Sequence, residues 1–218
     1  SYMFYRATSL NSVSLPDTGA VTDMYQMFAH ATFLTSVSLP QTGAVTNMSY
    51  MFYRATSLNS VSLPDTSSVT DMSQMFALAP SLTSVSLPQT GAVMYMSSMF
   101  VNATSLTSVS LPDTGAVTVM SYMFASATNF NQDIRDWDTS SVTNMEGMFY
   151  DATNFNQNIR KWDVDVSVRL DSMFSNATAM HDKYTGVSGF GGTPLYTFFN
   201  IDTTAPTLSS VSIASNNS

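Results

Sequence analysis

Apolar residues in this chain recur in two alternating rhythms. In Leu10-Asn-Ser-Val13-Ser-Leu15-Pro16, Val13 and Leu15 alternate with Ser12 and Ser14, the period of a half-buried strand. Pro16 has no N–H for a ladder and ends the strand. Asp17-Thr18-Gly19 reads as a turn, with Gly19 free to take positive φ. The next stretch, from Val21 through Met24, Met27 and Phe28 to Ala31, spaces its apolar residues at helical intervals, with Thr22 or Asp23 placed to cap it. Two turns of helix are unstable alone, so this segment must pack against the strand layer.

The unit repeats. Met-Phe stands at Met3-Phe4, Met27-Phe28, Met51-Phe52, Met75-Phe76, Met99-Phe100 and Met123-Phe124, a stride of 24; Met148-Phe149 and Met173-Phe174 follow at 25. A stride of this size over eight copies predicts a solenoid, one supersecondary unit stacked on itself. The expected fold is α/β: about eight coils, right-handed by the crossover rule, with a parallel sheet on one face and short helices on the other. Val13, Val37, Val61, Val85 and Val109 should form one inward column. Tyr2 to Thr18 recurs as Tyr50 to Thr66, so a pair of coils, 48 residues, was the unit most recently duplicated.

The repeat Leu-x-x-Val-x-Leu-Pro, followed by Val, Met, Met-Phe, Ala and the next Leu, resembles the BspA-type leucine-rich repeat of bacterial surface proteins. The later copies, Asn129-Phe130-Asn131-Gln132-Asp133-Ile134 through Trp137 to Met148-Phe149, resemble a related repeat of unknown function in mycoplasma and other bacterial surface proteins; this sister repeat is assigned to 129–178. The resemblance covers residues 1–178. It implies an extracellular, cell-surface adhesion or recognition module, with a host or neighbouring-cell protein or glycan as partner.

Residues 179–203 are expected to cap the solenoid, with Leu195 to Ile201 as a strand over the last coil and Met180 to Thr185 as a polar stretch. Asp202-Thr-Thr-Ala-Pro206 through Ile213 resembles the lead-in strand of bacterial Ig-like repeats. Residues 204–218, with Asp202-Thr-Thr-Ala-Pro206 as lead-in, resemble a linker or first strand of a bacterial Ig-like domain. The chain opens in mid-repeat, so the Leu10–Leu15 edge is expected to be unpaired and to support a dimer of this fragment through its N-terminal end.

Composition narrows the function. Charged residues are 10% of the chain and net charge is −8, with seven Lys plus Arg in all. No basic stripe exists for nucleic acid or an anionic membrane surface, and no apolar run is long enough to span a bilayer. Cysteine is absent, which excludes disulfides and thiolate metal sites. Sixteen methionines, fourteen of them in two columns, read as core rather than as a soft-metal stripe. His30 and His181 are the only histidines and Glu146 the only glutamate; no nucleophile elbow, phosphate loop or dinucleotide motif accompanies them. An enzyme is not expected.

Candidate binding residues fall in three groups. Ser12, Ser14, Thr35, Ser36, Ser38, Ser60, Ser62, Thr83, Ser84, Ser86, Thr107, Ser108 and Ser110 would form a flat hydroxyl array on the strand face. Such an array would suit a repetitive ligand such as ice or a polysaccharide, or serve as solvent-facing filler of a structural spacer. Tyr5, Tyr25, Tyr53, Tyr95 and Tyr150 lie on the Met-Phe segments, with Arg6 and Arg54 beside two of them; stacked Tyr and Arg would hold a sugar or a peptide. In the later coils Asp136-x-Asp138 and Asp163-x-Asp165 are candidate calcium ligands, against the alternative of turn-capping carboxylates. Ile134 and Trp137 lie three apart, which requires a bulge or tighter turn if both are buried.

Overall fold

A computed structural model describes residues 2–15 and 17–199. Parallel strands β1 (Ser12–Ser14), β2 (Ser36–Ser38), β3 (Ser60–Ser62), β4 (Ser84–Ser86) and β5 (Ser108–Ser110) recur at the predicted stride. Each is the tripeptide Ser-Val-Ser, shorter than the expected Leu10–Leu15 run. They pair in register as β1–β2 and β3–β4–β5, so Val13 faces Val37, and Val61, Val85 and Val109 share one column. The ladder breaks between β2 and β3, where Asn59 follows Thr35 in its column. Thr35 N–H donates to Asn11 O, Thr83 N–H to Asn59 O and Thr107 N–H to Thr83 O.

The expected helices on the opposite face do not form. From Met24 to Leu34 the chain makes consecutive tight turns, with Met27 N–H donating to Met24 O, Ala29 to Gln26 O, Ala31 to Phe28 O and Leu34 to Ala31 O, all three residues back. Every fourth residue is left-handed: Gln26 (φ 52°) and His30 (62°), then Tyr50 (57°) and Arg54 (58°), onward to Ser172 and Asn176. A left-handed non-glycine residue costs roughly 1–2 kcal/mol. Its recompense is direct. Each one turns its N–H out of the coil and onto the next: Gln26 to Ser49 O, His30 to Tyr53 O (2.7 Å), Tyr50 to Ser73 O, Arg54 to Ala77 O. Met24 and Phe28 do the same, to Asn47 O and Met51 O. Alternate amides therefore tie the coil to itself and to its neighbour. One copy of the left-handed position is Gly147 (φ +58°), and there the ring of Tyr122 lies where a Cβ would stand.

The core is a column, as expected. Phe4, Phe28, Phe52, Phe76, Phe100, Phe124, Phe149 and Phe174 stack almost face to face, with centroids 5.2–5.9 Å apart. Met24, Met48, Met72, Met96, Met120 and Met145 are fully buried beside them, with Met27 through Met173; Met3 alone of the two columns is largely exposed. A threonine column also lies inside. Thr18, Thr42, Thr66 and Thr90 each donate to a carbonyl of the next coil (Gln41, Asp65, Gln89, Asp113) and accept the N–H of that same residue. Thr114 and Thr139 continue it with a donor bond each, to Asp138 O and Asp163 O at 2.9 Å. The turn at Asp17 is closed by its carboxylate, which accepts Gly19 N–H at 2.8 Å; Gly19 does not use positive φ.

No strand follows β5 among the described residues. Ile134 and Trp137 are joined by the tighter turn that their spacing required, Trp137 N–H donating to Ile134 O. The cap differs from expectation at both places. Thr178–Tyr184 is an α-helix, α1, burying Met180 and Tyr184. Tyr196–Phe198 is a 3₁₀ turn rather than a strand; it buries Phe198, which meets Phe174 edge to face. The Ig-like reading lies outside the described residues.

Candidate functional site

The left-handed positions lift side chains away from the turn face and align them in two columns. Arg6, His30, Arg54, Leu78 and Asn102 form one of these. Over the first coils this column merges with the tyrosines. Tyr2, Tyr5, His30, Tyr53, Tyr50 and Tyr25 close a cycle of six rings, each meeting the next at 5.4–5.8 Å, five of the contacts edge to face. Edge-to-face contact places the positive rim of one ring on the negative face of another. Arg6 lies 5.3 Å from the Tyr5 ring and Arg54 5.6 Å from that of Tyr53. Gln26 and Gln74 amides donate to the hydroxyls of Tyr25 and Tyr50. The 48-residue duplication builds this cluster: Tyr2-Tyr5-Arg6 and Tyr50-Tyr53-Arg54 are its two copies, and His30 stands between them.

Beside the cycle runs an open groove of about 520 Å³ across four coils. One wall is His30, Arg54, Leu78 and Asn102; the other is Thr32, Thr56, Pro80 and Thr104. Phe33, next to Thr32 in the chain, is 60% exposed where neighbouring coils carry Ser9 and Ser57. His30 is held below its ordinary pKa of 6.5, first by burial and then by Arg54 and Arg6. It is therefore neutral near pH 7.

Of the tyrosines singled out in the sequence, Tyr5, Tyr25 and Tyr53 come together here. Tyr95 (42% exposed) and Tyr150 stand apart, with no ring neighbour among the described residues. His30, the Thr32–Thr104 wall, Leu78, Pro80 and Asn102 were not anticipated. The available signal was the column of Asn102, Asp151 and Asn176, residue types that tolerate the left-handed region, aligned with Gly147 four residues before one of them.

The serines of the strand face are exposed in every strand, with Val turned inward. The hydroxyls of Thr35, Thr83 and Thr107 are committed to carbonyls of the preceding coil. No aromatic or charged side chain interrupts these Ser-Val-Ser strands. The Asp group disperses. Asp138 accepts from the N–H and hydroxyl of Ser140, and Asp165 from those of Ser167, which holds both carboxyls below their usual range. Among the described residues no three acidic or imidazole side chains converge as a metal site. His181 places Nε2 2.9 Å from Phe174 O, against the cap. No helix among the described residues is long and apolar enough to cross a membrane.

Comparison with known proteins places this geometry. A leucine-rich repeat protein of T. pallidum shares 26% identity and a TM-score of 0.50, over 60% of this chain and 59% of its own length. A leucine-rich cell surface protein from Faecalibacterium prausnitzii is 17% identical (TM-score 0.44, 82% of this chain, 60% of that one). A leucine-rich repeat protein from Bacteroides ovatus is 16% identical (TM-score 0.44, 72% of this chain, 46% of that one). The chain spans about three fifths of the first two. No functionally curated protein matches it in sequence. The resemblance to bacterial leucine-rich repeats is thus shown, and the sister repeat extends far beyond 129–178: its family model matches residues 1–107 and 83–187. The chain belongs to the family described as Mycoplasma protein of unknown function, DUF285.

Proposed function

We propose that this chain is a non-enzymatic ligand-binding module of an extracellular bacterial adhesin, engaging a surface protein or glycan. One observation carries the reading: a 520 Å³ groove crossing four coils, lined by His30 and Arg54, through which it adjoins the cycle of six rings and the second guanidinium, Arg6. Tyr and Arg are the residues that dominate binding energy at interfaces, and here they are held rigid by one another before any ligand arrives. The site thus moves from the strand face, first choice on sequence grounds, to the turn face.

A second reading keeps the strand face. Its in-register, uniformly exposed serine columns suit a repetitive surface such as ice or a polysaccharide lattice. A glycan and host-protein array separates the readings. The unaltered chain should bind, and Arg54→Ala should abolish the signal. A signal kept in Arg54→Ala but lost in Ser62→Lys/Ser86→Lys moves the site to the strands. Silence of the unaltered chain on every ligand means a spacer.

A further inference from the structure

Between residues 1 and 130 the chain has two cationic side chains, Arg6 and Arg54, and five carboxylates. Both cations fall in one column, two coils apart, with His30 between them. The ion pairs of the described residues lie elsewhere, at Asp133–Arg135 and around Arg169, and among those residues no carboxylate forms an ion pair with either guanidinium. Each rests on a tyrosine ring, which orients it without cancelling its charge. A protein of net charge −8 thus keeps a row of positive, donor-rich positions that runs along the His30–Arg54 edge of a groove and reaches Arg6 one coil beyond its end.

The rest of the groove is not built for a bare ion. Its far wall carries the hydroxyls of Thr32, Thr56 and Thr104 with Pro80 among them, that of Thr56 donating to Thr32 O and keeping its lone pairs for a ligand, and its near wall adds Leu78 and the Asn102 amide. The exposed Phe33 ring adds a flat apolar surface next to Thr32. Hydroxyls, an amide and a flat ring in line are the complement of a sugar chain, which presents C–H faces and equatorial hydroxyls in alternation. The two guanidiniums set the anion period. Two coils measure roughly 10 Å at the strand spacing, close to the length of one disaccharide.

Resting on the adhesin reading, we infer that the groove, together with the Arg6 position one coil beyond its His30 end, takes an extended acidic polysaccharide with one carboxylate or sulfate per disaccharide, successive anions on Arg6 and Arg54. His30 lies under the uncharged sugar between them. The charged groups facing His30 are Arg54 and Arg6, and the other groups packed on it are the Tyr5 and Tyr53 rings. Burial first and the two guanidiniums second keep the imidazole neutral; an anion on either side offsets the guanidinium repulsion, so binding takes up a proton and tightens as pH falls toward 5.5.

The test uses the full chain and hyaluronan decasaccharide, which has one carboxylate per disaccharide, followed by calorimetry at low salt. Arg6→Gln and Arg54→Gln should each weaken binding by about tenfold, the loss of one charge-assisted contact. Arg135→Gln, paired to Asp133 outside the groove, should bind like the parent. The His30 pKa, followed by NMR, should rise when the sugar is added. A neutral chitin decasaccharide bound as tightly as hyaluronan overturns the anion assignment while leaving a glycan-binding groove. Poly-L-glutamate displacing hyaluronan at equal concentration assigns the row to acidic peptides and overturns the glycan. Binding of neither sugar, with array binding still lost in Arg54→Ala, overturns this inference and leaves the adhesin reading standing.

Discussion

The coils carrying β1–β5 and the coils after them build the strand corner in different ways on an unchanged turn face. In the first set, Ser-Val-Ser backbones pair and Leu residues fill the corner. In the second, Phe130 and Phe155 replace those leucines and lie 4.0–4.1 Å from the Phe column. Side chains take over the ladder. The Gln132 amide accepts from Val109 N–H (2.6 Å) and donates to Val109 O (2.9 Å), as the next strand's peptide would. Gln157 Nε2 reaches Asn131, Lys183 Nζ reaches Asn156 O, and the buried Trp162 donates Nε1–H to Ile134 O. Meanwhile the turn-face bonds run on: Tyr122 N–H to Glu146 O, Ser126 to Tyr150 O, Gly147 to Asp171 O, Asp151 to Ser175 O. The extra residue in each later coil is absorbed at the corner. The turn face is the scaffold, and the strands are one of two ways of closing it.

That contrast can be broken most forcefully at the Phe column. Phe100→Ala opens a cavity in a fully buried stack and should cost about 4 kcal/mol. Val85→Ala, on the strand side, should cost about half as much. Urea unfolding with fluorescence and circular dichroism compares them, and equal costs would return the strands to the status of scaffold. The threonine column gives the next effect. Thr66→Val strands both the N–H and the C=O of Gln89, and should cost about 2 kcal/mol. Thr139→Val strands Asp163 O alone, and should cost about 1. Equal costs would show that the Gln89 N–H gains nothing from Thr66.

Gln132→Leu removes the substitute for a sixth strand. It should cost about 1 kcal/mol and speed hydrogen exchange at the Val109 amide, leaving Val85 protected. Exchange at Val109 that matches the parent would mean the amide is not its partner in solution. The smallest effect is electrostatic. His30 has its pKa lowered in the folded chain, so the unfolded chain binds the proton more readily. Its contribution is complete above the ordinary pKa near 6.5 and is lost as pH falls below it. His30→Gln should flatten this slope. An unchanged profile would remove His30 as its source.

Much of this architecture is written in the period. The stride, the Ser-Val-Ser register and the Met and Phe columns follow from where apolar residues fall. The helix does not, for a geometric reason. Consecutive turns with a left-handed residue every fourth position bury Met24, Met27, Phe28 and Ala31, the same spacing that a helix face would show. Gln26, Tyr50 and Gln74 carry none of the usual left-handed signals; Gly147 and Asn102 do, one coil at a time. The family resemblance was legible in the later coils and ran through all of them. The binding groove was less legible, because Arg6, His30 and Arg54 become neighbours only through stacking. The buried threonines were hidden because a Thr in Asp-Thr-Gly reads as turn surface.

One row of turn-face amides, at the left-handed positions and in the Met24 and Phe28 columns, points a single way. At these positions each coil hands its N–H groups to the following coil and offers its carbonyls to the preceding one. The stack therefore has a plug and a socket. A lid on the C-terminal side must bring acceptors, and this one does: Gly192 O receives Phe174 N–H, and Thr193 Oγ1 receives Ser172 N–H. A module seated on the opposite side must bring donors. Lids of the two kinds are not interchangeable, and coils can be spliced into such a rod only head to tail.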